Sequence, residues 1–123
     1  MKLGAFSISL AVKDIHASQE FYNKLGFTNA GGNIEQKWLI LRNGETVIGL
    51  FEGMFDKNML TFNPGWNQHS DILDHFDDVR DIQKSLIEQG LECDPKVDEN
   101  GIGPGSFMVI DPDGNPILVD QHV

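Results

Sequence analysis

The sequence predicts an α+β fold built from two β-α-β-β-β modules, and three observations carry that expectation. Two amphipathic helical stretches are each bracketed by an aspartate and a glycine, Asp14 with Gly26 and Asp78 with Gly90, and the second pair repeats the first after 64 residues. Short runs of alternating apolar and polar residues flank the helices, as half-buried strands do. Two turns, Asn43-Gly44 and Asp111-Pro112-Asp113-Gly114, each join two such runs in the manner of a β-hairpin. A duplication spanning about half the chain is an architectural signal in itself.

The elements follow in order. Phe6-Ser-Ile8-Ser-Leu10-Ala-Val12 alternates and reads as the first strand. Asp14 then caps a helix from Ile15 to Leu25, with Ile15, Ser18, Tyr22 and Leu25 on one stripe, Phe21 beside it, and Gly26 as the terminating glycine. Phe27 to Ala30 starts a short strand, and Lys37–Arg42 and Thr46–Phe51 form a hairpin. Asp78 caps the second helix, whose apolar stripe is Val79, Ile82 and Leu86. Leu91–Cys93, Ser106–Ile110 and Ile117–Gln121 are the strands expected after it, and Ser70–Phe76 is the strand expected before it. On this reading the chain is one domain: module one spans about 3–52, a crossover 53–68, and module two about 69–123. The crossover carries Met54, Phe55, Met59, Leu60, Phe62 and Trp66, too apolar for a free linker. It is expected to pack in order, with a helical turn near Met54–Met59. Asp94 to Gly105 is a loop punctuated by glycine and proline.

Composition limits the partners. A chain of 123 residues supports one core, and no apolar run reaches the ~20 residues of a membrane helix. The N-terminus has no signal-peptide pattern, and the lone Cys93 fits a reducing compartment, so a cytoplasmic protein is expected. The net charge of −10 speaks against nucleic acid and anionic lipid, which need basic patches. It is compatible with a cationic small ligand, and equally with an acidic surface that keeps the protein in solution.

The segment Asp111-Pro-Asp-Gly-Asn-Pro-Ile117, followed by a short strand, resembles the last hairpin of the vicinal oxygen chelate superfamily, which includes glyoxalase I, the extradiol dioxygenases and the bleomycin-resistance proteins. The resemblance implies that the two modules form a curved sheet around a cup, that a small molecule binds there, and that the chain forms a homodimer. In the metal-using members, ligands come from the first and last strand of each module. Carried over residue by residue, those positions fall on Ser7, Gly49, Asp71 and Leu118, so only Asp71 could bind an ion. One carboxylate does not make a metal site, and no cofactor is expected. A displaced set of His69, Asp71, Asp120 and His122 is the alternative, with which the protein would be a lyase, isomerase or dioxygenase related to glyoxalase I. A metal-free enzyme using Asp71 or Glu52 as acid or base is a third reading.

Other catalytic signatures are missing: the sequence has no nucleophile elbow, phosphate loop, dinucleotide fingerprint or paired-histidine zinc motif. Cys93 reads as a buried structural thiol, His16 as a surface residue, and His75 as either facing the cup or half exposed beside Asp74 and Asp77. What the resemblance leaves is a cup without an ion. Its expected lining is Ser7, Ser9, Trp38, Phe51, Phe62, Trp66, Asp71 and Leu118, aromatic walls with a few polar anchors. The first expectation is therefore a metal-independent protein that binds a small cationic or aromatic molecule.

Overall fold

A computed structural model describes residues Met1–Val123. The fold is α+β, with seven strands and two helices: β1 (Ala5–Val12), α1 (Ile15–Lys24), β2 (Thr28–Asn33), β3 (Trp38–Asn43), β4 (Thr46–Glu52), β5 (Met59–Asn63), α2 (Val79–Glu88), β6 (Gly105–Ile110) and β7 (Pro116–Gln121). Two compact units divide the chain, Ser7–Met59 and Leu60–Val123, the latter joined by Met1–Phe6.

In the Ser7–Met59 unit the strands lie in the order β2-β3-β4-β1. β3 and β4 form the hairpin around Asn43-Gly44, and β1 runs parallel to β4 with Ser9 opposite Gly49 and Leu10 opposite Leu50. Strand alternation then sorts the side chains. Leu39, Leu41, Ile48 and Leu50 face α1 and close a core around Ile15, with Ile8, Leu10, Tyr22 and Phe27 packed against it. Ser9, Ile40, Gly49, Phe51 and Trp38 share the opposite face. Asp14 caps α1 by accepting from the His16 and Ala17 N–H groups, as its position predicts. The helical stripe is shorter than expected: Phe21 and Leu25 lie at the exposed C-terminal end. A single 3₁₀ turn, Ile34–Gln36, precedes β3 and has no clear signal in the sequence.

In the Leu60–Val123 unit the order is β5-β7-β6, with β5 parallel and β6 antiparallel to β7. Val79, Ile82, Cys93, Val97, Phe107 and Val119 form its core beneath α2. Gly26 and Gly90 end α1 and α2 with φ of 92° and 91°, a left-handed conformation that costs glycine nothing.

α2 is anchored by amides. Gln121, fully buried on β7, accepts from the Val79 N–H at 2.8 Å and donates to Asp78, Gly103 and Val123 oxygens. Gln83, buried mid-helix, exchanges two hydrogen bonds with the Val97 backbone and so pins the loop that follows Asp94. Arg80 reaches the carbonyls of Asp98 and Gly103 from the same helix.

Three expectations are corrected. The strand that precedes α2 is Met59–Asn63, not Ser70–Phe76. The reason is compositional: Met59-Leu-Thr-Phe62 is an apolar, β-prone run, whereas Ser70–Asp77 carries Asp71, Asp74 and Asp77 and contributes one isolated bridge, Ile72 to Trp66. Leu91–Cys93 does not become a strand: the backbone bonds to β6 come after it, where Met108 accepts from the Asp94 N–H and donates to the Pro95 carbonyl. Residues 54–58 form bends rather than a helical turn before β5.

Candidate functional site

The positions named from the sequence fall in both units. In the Ser7–Met59 unit, Ser9 is buried on β1 opposite Gly49 of β4, and Ser7 is half-buried two residues before it. Trp38 and Phe51 are register partners on adjacent strands; their rings are nearly parallel, 10° apart, with centroids at 6.5 Å. Phe55 meets Phe51 at 5.3 Å. The three rings make an aromatic shelf on the sheet face that α1 leaves uncovered. Phe55 was not among the expected lining residues, although its apolar character just after a strand end is visible in the sequence.

Gly49 decides what this face can hold. A Cβ built there would lie 2.6 Å from a Phe51 ring carbon and 3.5 Å from the Ile40 side chain. The volume a ligating side chain would use at this position is therefore filled by an aromatic ring.

Glu52 is committed elsewhere. Its carboxylate accepts from the Ile15 N–H at 3.0 Å at the start of α1 and pairs with Lys37. The Lys37 hydrogen bond, followed by that of Ile15, holds it below the usual carboxylate range. A carboxylate stabilised in its ionised form at a helix N-terminus serves the helix, and is a weak proton acceptor.

In the Leu60–Val123 unit, Leu118 and Asp120 lie on the β7 face opposite the α2 core, since their neighbours Val119 and Gln121 are the buried ones. Thr61, register partner of Leu118 on β5, shares that face. Phe62 pairs with Val119 and so points to the other side, where its ring packs on Phe6 at 5.2 Å. Trp66 follows β5; its ring lies 4.8 Å from that of His122, and its buried indole N–H meets no acceptor in the chain. His122 contacts Asp120 at 3.0 Å, and that hydrogen bond raises the imidazole above its ordinary pKa against the opposing effect of partial burial.

The four alternative metal donors do not converge. Asp71 is exposed and tied to Asn67, accepting from its side-chain amide at 3.2 Å, and the His69 N–H donates to the same Asn67 side chain. Asp120 and His122 are paired with each other. Nowhere does the chain bring together three or more His, Cys, Asp or Glu groups able to hold an ion. At the superfamily's ligand positions stand Ser7, a glycine covered by a ring, and Leu118.

Among curated protein sequences, none matches this one. A family model described as Glyoxalase/Bleomycin resistance protein/Dioxygenase superfamily matches residues 4–119. The chain belongs to this superfamily. Solved structures agree at the level of fold. A superfamily member from Vibrio splendidus 12B01 is 17% identical, with a TM-score of 0.64 over 94% of this chain and 97% of that one. A Legionella pneumophila protein described as an NAD-dependent benzaldehyde dehydrogenase is 16% identical, with a TM-score of 0.70 over 96% and 99%. An extradiol ring-cleaving dioxygenase from B. fuscum is 18% identical, with a TM-score of 0.57; 98% of this chain is covered but only 32% of that enzyme.

Proposed function

We propose that this superfamily member is a metal-independent protein that binds a small cationic or aromatic molecule, with the Trp38–Phe51–Phe55 shelf as its recognition surface. The observation that carries the reading is the ring of Phe51 lying over Gly49. It fills with an aromatic ring a position that metal-using relatives give to a carboxylate, so that the surface there is aromatic. Such a face gains from stacking with a planar ligand and from the attraction of a cation to the ring quadrupole. The overall charge of −10 favours the approach of a cation over that of an anion. The same reading takes the protein as a cytoplasmic homodimer, supported by its superfamily and its single, buried Cys93. No helix is long and apolar enough to cross a membrane.

Elemental analysis of protein purified without chelators, joined to a thermal-shift screen of aromatic and cationic compounds, tests this directly. Little bound metal is expected, together with at least one compound whose stabilising effect drops about tenfold in apparent affinity in Trp38→Ala, the loss of one well-packed aromatic contact. Near-stoichiometric zinc, nickel, manganese or iron would overturn metal independence and return attention to Asp120 and His122. Hits indifferent to Trp38→Ala would overturn the assignment of the shelf.

A further inference from the structure

We infer that the groove along the outer edge of β6 is a second binding site, for a small hydrophobic cation: an amine or guanidinium on a short apolar group. The groove exists because the chain after α2 fails to pair as a strand. Gly90 ends the helix, Leu91 stays tied to it through its N–H to the Leu86 carbonyl, and the next contact with β6 is the reciprocal pair of hydrogen bonds at Met108. Between those two attachments Cys93 turns into the core with Phe107, while Leu91, Glu92 and Asp94 stay exposed.

The space left has a volume of about 330 Å³ and is lined by Leu91, Glu92, Asp94, Met108, Val109 and Ile110. That is the lower end of the size range of small-molecule sites. Four of the six lining residues are apolar, and Ile110 and Leu91 are 68% and 48% exposed, more than a stable surface gains from showing to water. The two remaining groups are both carboxylates, and no lysine or arginine lines the space. The Asp94 backbone is held beside the apolar floor, its N–H donating to the Met108 carbonyl at 3.0 Å. An apolar floor with a purely anionic rim selects one ligand chemistry. An anion would be repelled, a neutral apolar molecule would leave the carboxylates unused, and a hydrophobic cation satisfies both. Every lining residue belongs to the Leu60–Val123 unit, so the site is independent of the aromatic shelf.

The test is a titration of the intact protein with phenylethylamine followed by amide-resolved NMR, with phenylpropionate and phenylethanol as controls of matched size. Saturable shifts at Leu91, Asp94, Met108 and Ile110 are expected with the amine alone. The double variant Glu92→Gln/Asp94→Asn should weaken them about fivefold, the effect of two exposed charges. Ile110→Lys, a surface change that places an ammonium in the groove, should abolish them, and Trp38→Ala should leave them unchanged. Equal responses to the acid or the alcohol, indifference to the double variant, or shifts centred on other residues would each overturn the site.

Discussion

Gln121 does more for the Leu60–Val123 unit than its residue type would suggest. A buried amide is tolerable only when both its donor and acceptor sides are used. Here the oxygen takes the first N–H of α2 and the nitrogen is shared among Asp78, Gly103 and Val123. One side chain thus links the last strand, a helix N-terminus, a loop and the C-terminus. Gln121→Leu keeps the approximate volume but strands the Val79 N–H and the carbonyls in an apolar setting. The expected cost is about 2–4 kcal/mol, the sum of one or two orphaned buried groups, read as a lowered urea midpoint. A change below about 0.5 kcal/mol would show that water replaces the amide at no cost. Cys93 sits in the core of the same unit, where burial pushes its thiol up despite a small opposing pull from Lys96. It is a packing residue.

At the scale of elements, the start of α2 carries a pH signature. Asp78 is pulled below the ordinary carboxylate value of 3.8: burial works against ionisation, but the Arg80 N–H, Gln121 and the Arg80 guanidinium together outweigh it. A carboxyl depressed on folding stabilises the protein above its unfolded pKa, and that contribution disappears as pH falls through the folded value. Asp78→Ala should therefore cost about 1 kcal/mol at neutral pH, and the gap from the parent protein should close in acid, below the ordinary carboxylate value. A gap that stays constant with pH would assign the loss to packing instead. Both helices were legible in the sequence because a capping aspartate and a terminating glycine are local chemistry. The fifth strand was not, because repeating the spacing of the first module placed it against Asp78. The stretch between Pro64 and Asp77 is an insertion that only tertiary pairing reveals. For the site, alternation along β1 and β4 was enough to put Ser9 and Gly49 on one face. The ring of Phe51 over Gly49 was out of reach, since a side chain's direction depends on neighbours that the sequence does not place.

For the whole molecule the dominant electrostatic fact is imbalance, 19 acidic against 9 basic side chains. Attraction offsets little of it. Among the pairs formed are Glu20 with Lys24, Glu52 with Lys37, Asp78 with Arg80 and Asp120 with His122, and the first of these is about three-quarters exposed on both sides. Exposed pairs of this kind contribute less than about 1 kcal/mol each. The excess negative charges repel one another over distances comparable to the screening length, which shrinks from roughly 30 Å at 0.01 M salt to roughly 8 Å at physiological ionic strength. Screening should then relieve more repulsion than it removes attraction. Raising sodium chloride from about 0.01 M to about 0.15 M should lift the thermal midpoint at neutral pH by a few degrees, in the range that about 1 kcal/mol produces in a domain of this size. Most of the gain should come in the first part of that range, where the screening length changes fastest. A midpoint that falls with salt would mean that the few ion pairs outweigh the net charge, and would move the explanation of stability from the surface as a whole to the carboxylates at the two helix starts.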